Sequence, residues 1–385
     1  MHQLLAILLL VLFCGYAALL LYYAVAWMDL PDYIPVSLKP APHETPVTVT
    51  VIIPARNEAA RIGDCLDALL KQDYPKSLLQ ILVVDDFSED ETGALVKTYA
   101  DSGVELIRLA DAISEEHTVA AHKKKAIEWA ISRTYSELIV TTDADCIAPA
   151  RWISTLVAAY RETQAHFLVM PVVYTREMGA IGVFQSLDFM TLQGITAASV
   201  HRGIHSMCNG ANLAYTRAAF GAVNGFAGID GIASGDDMLL MHKIYLKFPE
   251  GIRYVKTPDV IVATPPAESV GAFFRQRIRW ASKARFYEDY RITLVLAWVY
   301  IYNVLLVVTA VAAFMIPDLI APLTAAVISK TCIEMLFLFP VARFYNRTAL
   351  LWWFPLAQPF HILYTLIAGF LGNFGTYQWK GRRVQ

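Results

Sequence analysis

The chain has 385 residues, 56% of them hydrophobic and only 17% charged, with Lys+Arg 32 against Asp+Glu 34. Soluble domains run at roughly 45–50% apolar and about 25% charged residues, so the composition leans toward a membrane protein, and a net charge of −2 lacks the basic footprint of a nucleic-acid binder. Aromatics at 12% exclude global disorder, and five scattered cysteines with no C-x-x-C support neither a disulfide framework nor a zinc knuckle.

Residues 1–28 are read as an N-terminal transmembrane anchor. From 3 to 28 there is no formal charge, enough to cross a ~30 Å hydrocarbon core as a helix. No Lys or Arg precedes the stretch and it is too long for a signal peptide. A Pro-rich linker follows over 29–46 (Pro31, Pro35, Pro40, Pro42, Pro46) and is expected to be extended.

Residues 47–290 have ordinary soluble composition and alternate β-like with helix-like runs. A β-branched run over 47–53 ends at Pro54, and helical spacing follows over 59–71. Residues 81–84 form a buried strand ending at Asp85-Asp86. A helix over 91–99, a strand over 104–109, a helix over 123–132 and a strand over 138–142 complete the pattern, which predicts an α/β fold with a parallel sheet. Arg56, Asn57 and Glu58, Asp85 and Asp86, and Asp143 and Asp145 all fall at strand C-termini, the edge where open α/β sheets bind ligands.

Asp143-Ala144-Asp145 places two carboxylates on one side of an extended segment, hard ligands suited to Mg²⁺ or Mn²⁺ with a diphosphate. Asp236-Asp237 opens an apolar-periodic stretch over 238–246. It reads either as a helix cap or as a carboxylate that takes a proton from an attacking hydroxyl. In His122-Lys123-Lys124-Lys125, Lys124 and Lys125 are expected to face solvent. Gln276-Arg277-Ile278-Arg279-Trp280 lies in a basic, aromatic stretch that fits an interfacial amphipathic segment.

Residues 291–385 form a C-terminal membrane bundle of about three spans. Residues 292–317 are charge-free, Lys330 and Glu334 interrupt 319–342, and Pro355 and Pro359 break 348–378 near its start, so the last span either crosses or re-enters. Lys330 and Glu334, one helical turn apart, are expected to pair with each other or with neighbouring helices. Arg343 and Arg347 place the soluble domain on the cytoplasmic side by the positive-inside bias. The same bias keeps Lys380, Arg382 and Arg383 there.

In this order the motifs resemble the membrane-bound glycosyltransferases of family 2. The matching residues are 51–58 (Val-Ile-Ile-Pro-Ala-Arg-Asn-Glu), Val84-Asp85-Asp86, Asp143-Ala144-Asp145, Gly210-Ala211-Asn212, Asn224-Gly225-Phe226, Gly235-Asp236-Asp237 and Gln276 to Trp280. The resemblance implies a GT-A nucleotide-diphospho-sugar transferase domain, Rossmann-like with a mostly parallel sheet, flanked by transmembrane helices. It implies that Pro54, Ala55, Arg56, Asn57, Glu58, Asp86, Lys123 and Asp143 bind the nucleotide sugar, and that Asp145 with Asp143 holds the metal. Asp237 becomes the catalytic base, with Asp236 beside it, and Gln276, Arg279 and Trp280 line the acceptor and diphosphate side. His122 departs from the pattern, because glycine usually precedes the lysine at 123.

The function so implied is an inverting, metal-dependent transfer of a sugar from a nucleotide sugar, expected to be a UDP-sugar, to a membrane lipid or lipid-linked acceptor at the cytoplasmic face. The alternative is a processive polysaccharide synthase extending and exporting a polymer, with an oligomer or export partner supplying the channel. A transporter or non-catalytic membrane subunit would leave the acidic motifs without a role. The implied location is a bacterial inner membrane with the catalytic domain in the cytoplasm, and no nucleic-acid partner.

Overall fold

A computed structural model of the chain describes residues 2–38, 45–111, 121–175, 177, 179–232, 234–286, 289–374, 377–379 and 382–384. Pro40, Pro42 and Lys380 lie outside the described residues. The chain divides into two compact units. One comprises residues 30–175 and 199–265, the other residues 1–29, 176–198 and 266–385.

The first unit is built on a sheet of β1 (Val49–Ala55), β2 (Leu79–Asp85), β3 (Val104–Arg108), β4 (Leu138–Thr141), β5 (Phe167–Val169), β7 (Leu213–Thr216) and β8 (Ile252–Tyr254). Its order is β3-β2-β1-β4-β7-β5-β8. All neighbours are parallel except β7, which runs antiparallel to both β4 and β5. A parallel pair, β6 (Val172–Tyr174) and β9 (Val262–Thr264), lies apart from it. Helices α2 (Ile62–Leu70), α3 (Thr92–Lys97), α4 (His122–Ile131), α5 (Trp152–Thr163), α7 (Arg217–Ala222) and α8 (Met238–Lys247) connect the strands.

Val51, Ile52, Leu82, Val83, Ile139 and Val140 are fully buried on consecutive positions. This is the composition of strands covered on both faces. β1 runs on through Pro54 rather than stopping there, for a reason visible in the register. Pairing with β4 ends at Ile52 opposite Thr141 while pairing with β2 runs on through Pro54 opposite Val84, so the missing Pro54 N–H falls on the β4 side, where no ladder partner remains. The start of the connector is tied to this unit, with Tyr33 N donating to Lys256 O at 2.7 Å and Lys256 Nζ donating to Leu30 O at 3.0 Å.

The second unit holds α1 (His2–Asp29), most of α6 (Gly179–His201), α9 (Val270–Ala281), α10 (Tyr290–Ala313), α11 (Ile320–Phe344) and α12 (Phe354–Phe374). Two short strands, β10 (Tyr377–Trp379) and β11 (Arg382–Val384), follow. Among the described residues four helical stretches are long and apolar enough to cross a membrane: His2–Asp29, Tyr290–Ala313, Pro317–Phe344 and Thr348–Gly372. Pro359 lies inside the continuous helix α12.

Helix contacts here are close and specific. A Cβ at Gly15 would stand 2.4 Å from the Trp298 ring, so α1 meets α10 where no side chain intervenes. Lys330, with no exposed surface, pairs with Glu334 one turn on and with Gln358 Oε1 of α12 at 3.2 Å. Glu334 also accepts from the Tyr16 hydroxyl of α1 and from the Gln358 amide. The charges thus join three helices, of which α1 is far in sequence from α11 and α12.

Candidate active site

The site residues gather at the C-terminal ends of β1, β2 and β4. Asn57 turns the loop after β1 with φ 54°, a left-handed conformation that asparagine tolerates. Arg56, 8% exposed, donates to Asp86 O at 3.1 Å and to the Glu89 carboxylate at 3.2 Å. Asn57 Oδ1 accepts from Glu89 N at 2.8 Å, and Glu58 N donates to Thr92 Oγ1 at 2.8 Å. Asp86 N donates to Ala55 O at 2.8 Å. The loops that carry Pro54, Ala55, Arg56, Asn57, Glu58 and Asp86 therefore brace one another rather than move independently.

α4 begins with three side chains that go to three different places. His122 Nδ1 lies 2.9 Å from Asp86 Oδ1, both groups being buried. The residue that departs from the family pattern is thus the partner of the carboxylate expected to read the nucleotide. Lys123 Nζ lies 2.8 Å from Asp143 Oδ1 and 3.2 Å from Asp236 Oδ2. Burial acts to lower its pKa, but the charges of Asp143, Asp236 and Asp237 outweigh burial and hold it above the ordinary value.

Lys124 overturns the expectation that it faces solvent. It is 2% exposed, and its ammonium donates to the carbonyls of Ile229, Ile232 and Ser234 at 2.6, 2.8 and 3.0 Å. Three consecutive helical residues cannot share one face, so a run of lysines on a packed helix sends at least one inward. Lys125 takes the outer position and pairs with Glu128 at 3.1 Å.

Asp143 and Asp145 follow β4. Their neighbours Cys65 and Cys146 are buried. Burial first, then the charges of Asp145 and Asp143, push the Cys65 thiol up to about 12, and the Cys146 thiol also rises well above its ordinary value. Both sulfurs are therefore neutral thiols at ordinary pH. Among the described residues no group of three or more His, Cys, Asp and Glu is assembled to hold an ion. Two hard carboxylates at i and i+2 fit Mg²⁺ or Mn²⁺ whose remaining positions come from a diphosphate.

Asp237 is both cap and candidate base. It is 8% exposed, its Oδ1 accepts from Met238 N at 2.7 Å, and its Oδ2 accepts from Gly210 N at 3.3 Å. A Cβ on Gly210 would lie 3.2 Å from Lys123 Nζ and 3.3 Å from Asp236 Oδ2, so this backbone approaches the acids where a side chain would crowd them. Two residues on, fully buried Asn212 accepts from Trp152 Nε1 at 2.9 Å and donates to Pro171 O and Val260 O, both at 2.7 Å.

Gln276, Arg279 and Trp280 belong to α9 in the other unit. There the buried arginine of the motif is Arg277, which sequence reasoning passed over. It pairs with Asp188 of α6 at 2.6 Å, and its guanidinium lies 4.2 Å from the Trp280 ring centroid. Gln276 Oε1 accepts from Arg277 Nη1 at 3.2 Å, while Arg279 is partly exposed. Phe273, Arg277 and Trp280 recur at i, i+4 and i+7, a spacing that would have marked Arg277 as inward.

Acids at the strand ends of a mostly parallel sheet are in keeping with the GT-A fold. The family model described as glycosyl transferase family group 2 matches residues 138–372, and that of glycosyl transferase family 2 matches residues 50–221. The chain belongs to the family 2 glycosyltransferases. It is 28% identical over 284 residues to an N-acetylglucosaminyltransferase of Mesorhizobium japonicum, covering 70% of this chain and 64% of that protein. An N-acetylglucosaminyltransferase of Rhizobium meliloti is 27% identical over 265 residues, covering 64% of this chain and 57% of that one. The chain thus spans a little over half the length of these relatives. In fold it resembles the mannosyltransferase PcManGT from Pyrobaculum calidifontis, solved with GDP-Man and Mn²⁺. The TM-score is 0.58 at 22% identity over 97% of this chain and 99% of that one.

Proposed function

We propose that this glycosyltransferase inverts the anomeric centre, uses Mg²⁺ or Mn²⁺, and moves a sugar from a UDP-sugar to a membrane lipid or lipid-linked acceptor at the cytoplasmic face, where nucleotide sugars are made. The observation that carries the reading is the Lys123 ammonium lying between Asp143 and Asp236, next to Asp237. In one place it joins a cation for a diphosphate, a carboxylate for an ion and a carboxylate for a proton.

Asp237 removes the proton of an acceptor hydroxyl, and the oxygen attacks the anomeric carbon from the face opposite the diphosphate. One C–O bond forms while the other breaks, and its electron pair leaves with the nucleoside diphosphate. Lys123 stabilises the charge that develops there. Asp145 and Asp143 would hold the ion, which supplies further neutralisation of the leaving group. A single base suffices, in contrast to the carboxyl pair of a glycosidase. Pro54, Ala55, Arg56, Asn57, Glu58 and Asp86 are assigned to the base and ribose. The roles of Gln276, Arg279 and Trp280 toward acceptor and diphosphate are proposed on their motif alone. Four apolar helices support a membrane location and hence a lipid acceptor.

The test uses membranes containing the protein, radiolabelled nucleotide sugars and Mn²⁺ or Mg²⁺, with Asp237→Asn membranes as control. The names of the rhizobial relatives put UDP-N-acetylglucosamine first in the panel. Label in the lipid-extractable fraction, lost in the mutant, is expected. A mutant-sensitive product of high mass would replace the lipid acceptor with processive polymer synthesis.

A further inference from the structure

The turn that leads into Asp236 and Asp237 is fixed from α4 by a residue outside the assigned site. Lys124 is a cation in the protein interior, 2% exposed. Burying an ammonium is costly unless it is well hydrogen-bonded. Its three protons meet three backbone carbonyls, those of Ile229, Ile232 and Ser234, at 2.6, 2.8 and 3.0 Å. Gly235 follows with φ 80°, and then Asp236 and Asp237.

The neighbouring lysine holds the same segment at a second point, since Lys123 pairs with Asp236 at 3.2 Å. Two successive side chains of one helical turn thus grip 229–236, one through its backbone and one through an acid. A single attachment would let the segment swivel, whereas two fix its position and its orientation. The far end is tied as well, because Asp237 caps α8 and accepts from Gly210 N.

We propose that Lys124 is a positioning residue for sugar transfer: by ordering the carbonyls of the 229–234 turn it sets Asp237 where it can reach an acceptor hydroxyl. The inference rests on the reading of Asp237 as base. Methionine at 124 would fill nearly the same volume while taking the ammonium from all three carbonyls, of which Ile229 O keeps only the Ile232 N–H at 3.2 Å. The turn would then shift, and displacement of a reacting group by about 1 Å costs on the order of 100-fold in rate. The nucleotide loops after β1 and β2 brace one another and do not depend on this ammonium, so donor binding is preserved.

The experiment compares wild-type and Lys124→Met full-length enzyme for kcat, donor KM and titration calorimetry with UDP and Mn²⁺. A fall in kcat of about 30- to 100-fold is expected, with donor KM and nucleotide affinity within about threefold. A kcat within about threefold of wild type overturns the proposal, as does a parallel loss of nucleotide affinity, which would mark a general structural role. Should Lys124→Met not fold, Lys124→Leu, which likewise removes the donors, decides by the same split. Asp237→Asn measured alongside separates the two readings. If it stays active, the base assignment fails. If it is inactive while Lys124→Met is active, only the positioning role fails.

Discussion

Replacing Asn212 by alanine removes the side chain that joins three segments of the catalytic unit. Its amide accepts from the Trp152 indole at 2.9 Å and donates to two carbonyls, Pro171 O and Val260 O, at 2.7 Å each. Alanine leaves the Trp152 indole and Val260 O without these bonds in a position that has no exposed surface, whereas Pro171 O keeps its bond from Val262 N at 3.2 Å. Each buried group so orphaned costs about 1–3 kcal/mol. Allowing for partial relaxation, the expected loss is about 2–4 kcal/mol, at or above the upper end of the ~0.5–3 kcal/mol of most substitutions. At ~2–4 °C per kcal/mol for a unit of this size, the unfolding midpoint in detergent should fall by about 10 °C. Asn212→Asp keeps the shape and the acceptor for Trp152 but turns a carboxylate toward two carbonyls. It should be at least as destabilising at pH 8 and less so at pH 5, where the acid can donate to one of them. An Asn212→Ala midpoint within about 2 °C of wild type, or an Asn212→Asp protein unaffected at pH 8, would refute the reasoning.

Asp237→Asn should lower transfer by about 10²–10⁴ with nucleotide affinity nearly unchanged, because an amide oxygen still accepts from Met238 N; a rate above a tenth of wild type removes Asp237 as base. Asp145→Ala should weaken nucleotide binding in Mn²⁺, and wild-type binding indifferent to a chelator would contradict the metal assignment. The Cys65 thiol, pushed up to about 12 by burial and then by Asp145 and Asp143, should resist iodoacetamide at pH 8 in the folded protein and react once unfolded. Because this acid is raised in the folded state, its contribution to stability is full below about pH 9 and is lost as pH climbs toward 12. Ready labelling of Cys65 in the native enzyme would rule out so sheltered a thiol.

The early half of the sheet was legible because β1, β2 and β4 are apolar, branched runs followed closely by charged residues, Arg56 to Glu58, Asp85-Asp86 and Asp143. The later half was not. β5, β6, β8 and β9 span three residues each, too few for any period, and β7 (Leu-Ala-Tyr-Thr) gives no sign that it runs antiparallel. The acidic motifs could be read because chemistry restricts which residues serve there. What could not be read was direction. Lys124 looks identical to Lys125 in a sequence, and only the rotation of α4 decides which is buried. His122 stood out as a departure from the family, yet its partner Asp86 is 36 residues away in the chain. Lys330 and Glu334 were paired by spacing, whereas Tyr16 and Gln358 join them only through packing.

That last cluster bears on the timing of biosynthesis. Tyr16 leaves the ribosome hundreds of residues before Glu334 and Gln358, and the whole catalytic unit is synthesised between them. The first apolar helix therefore has no acceptor for its hydroxyl while the catalytic unit is made. Glu334, once synthesised, finds its full set of donors only when helices from both ends of the chain have met. Final assembly of the helical unit must then follow completion of α12, and any chain stopped before residue 358 would leave a carboxylate in an apolar setting without the amide that completes its bonding.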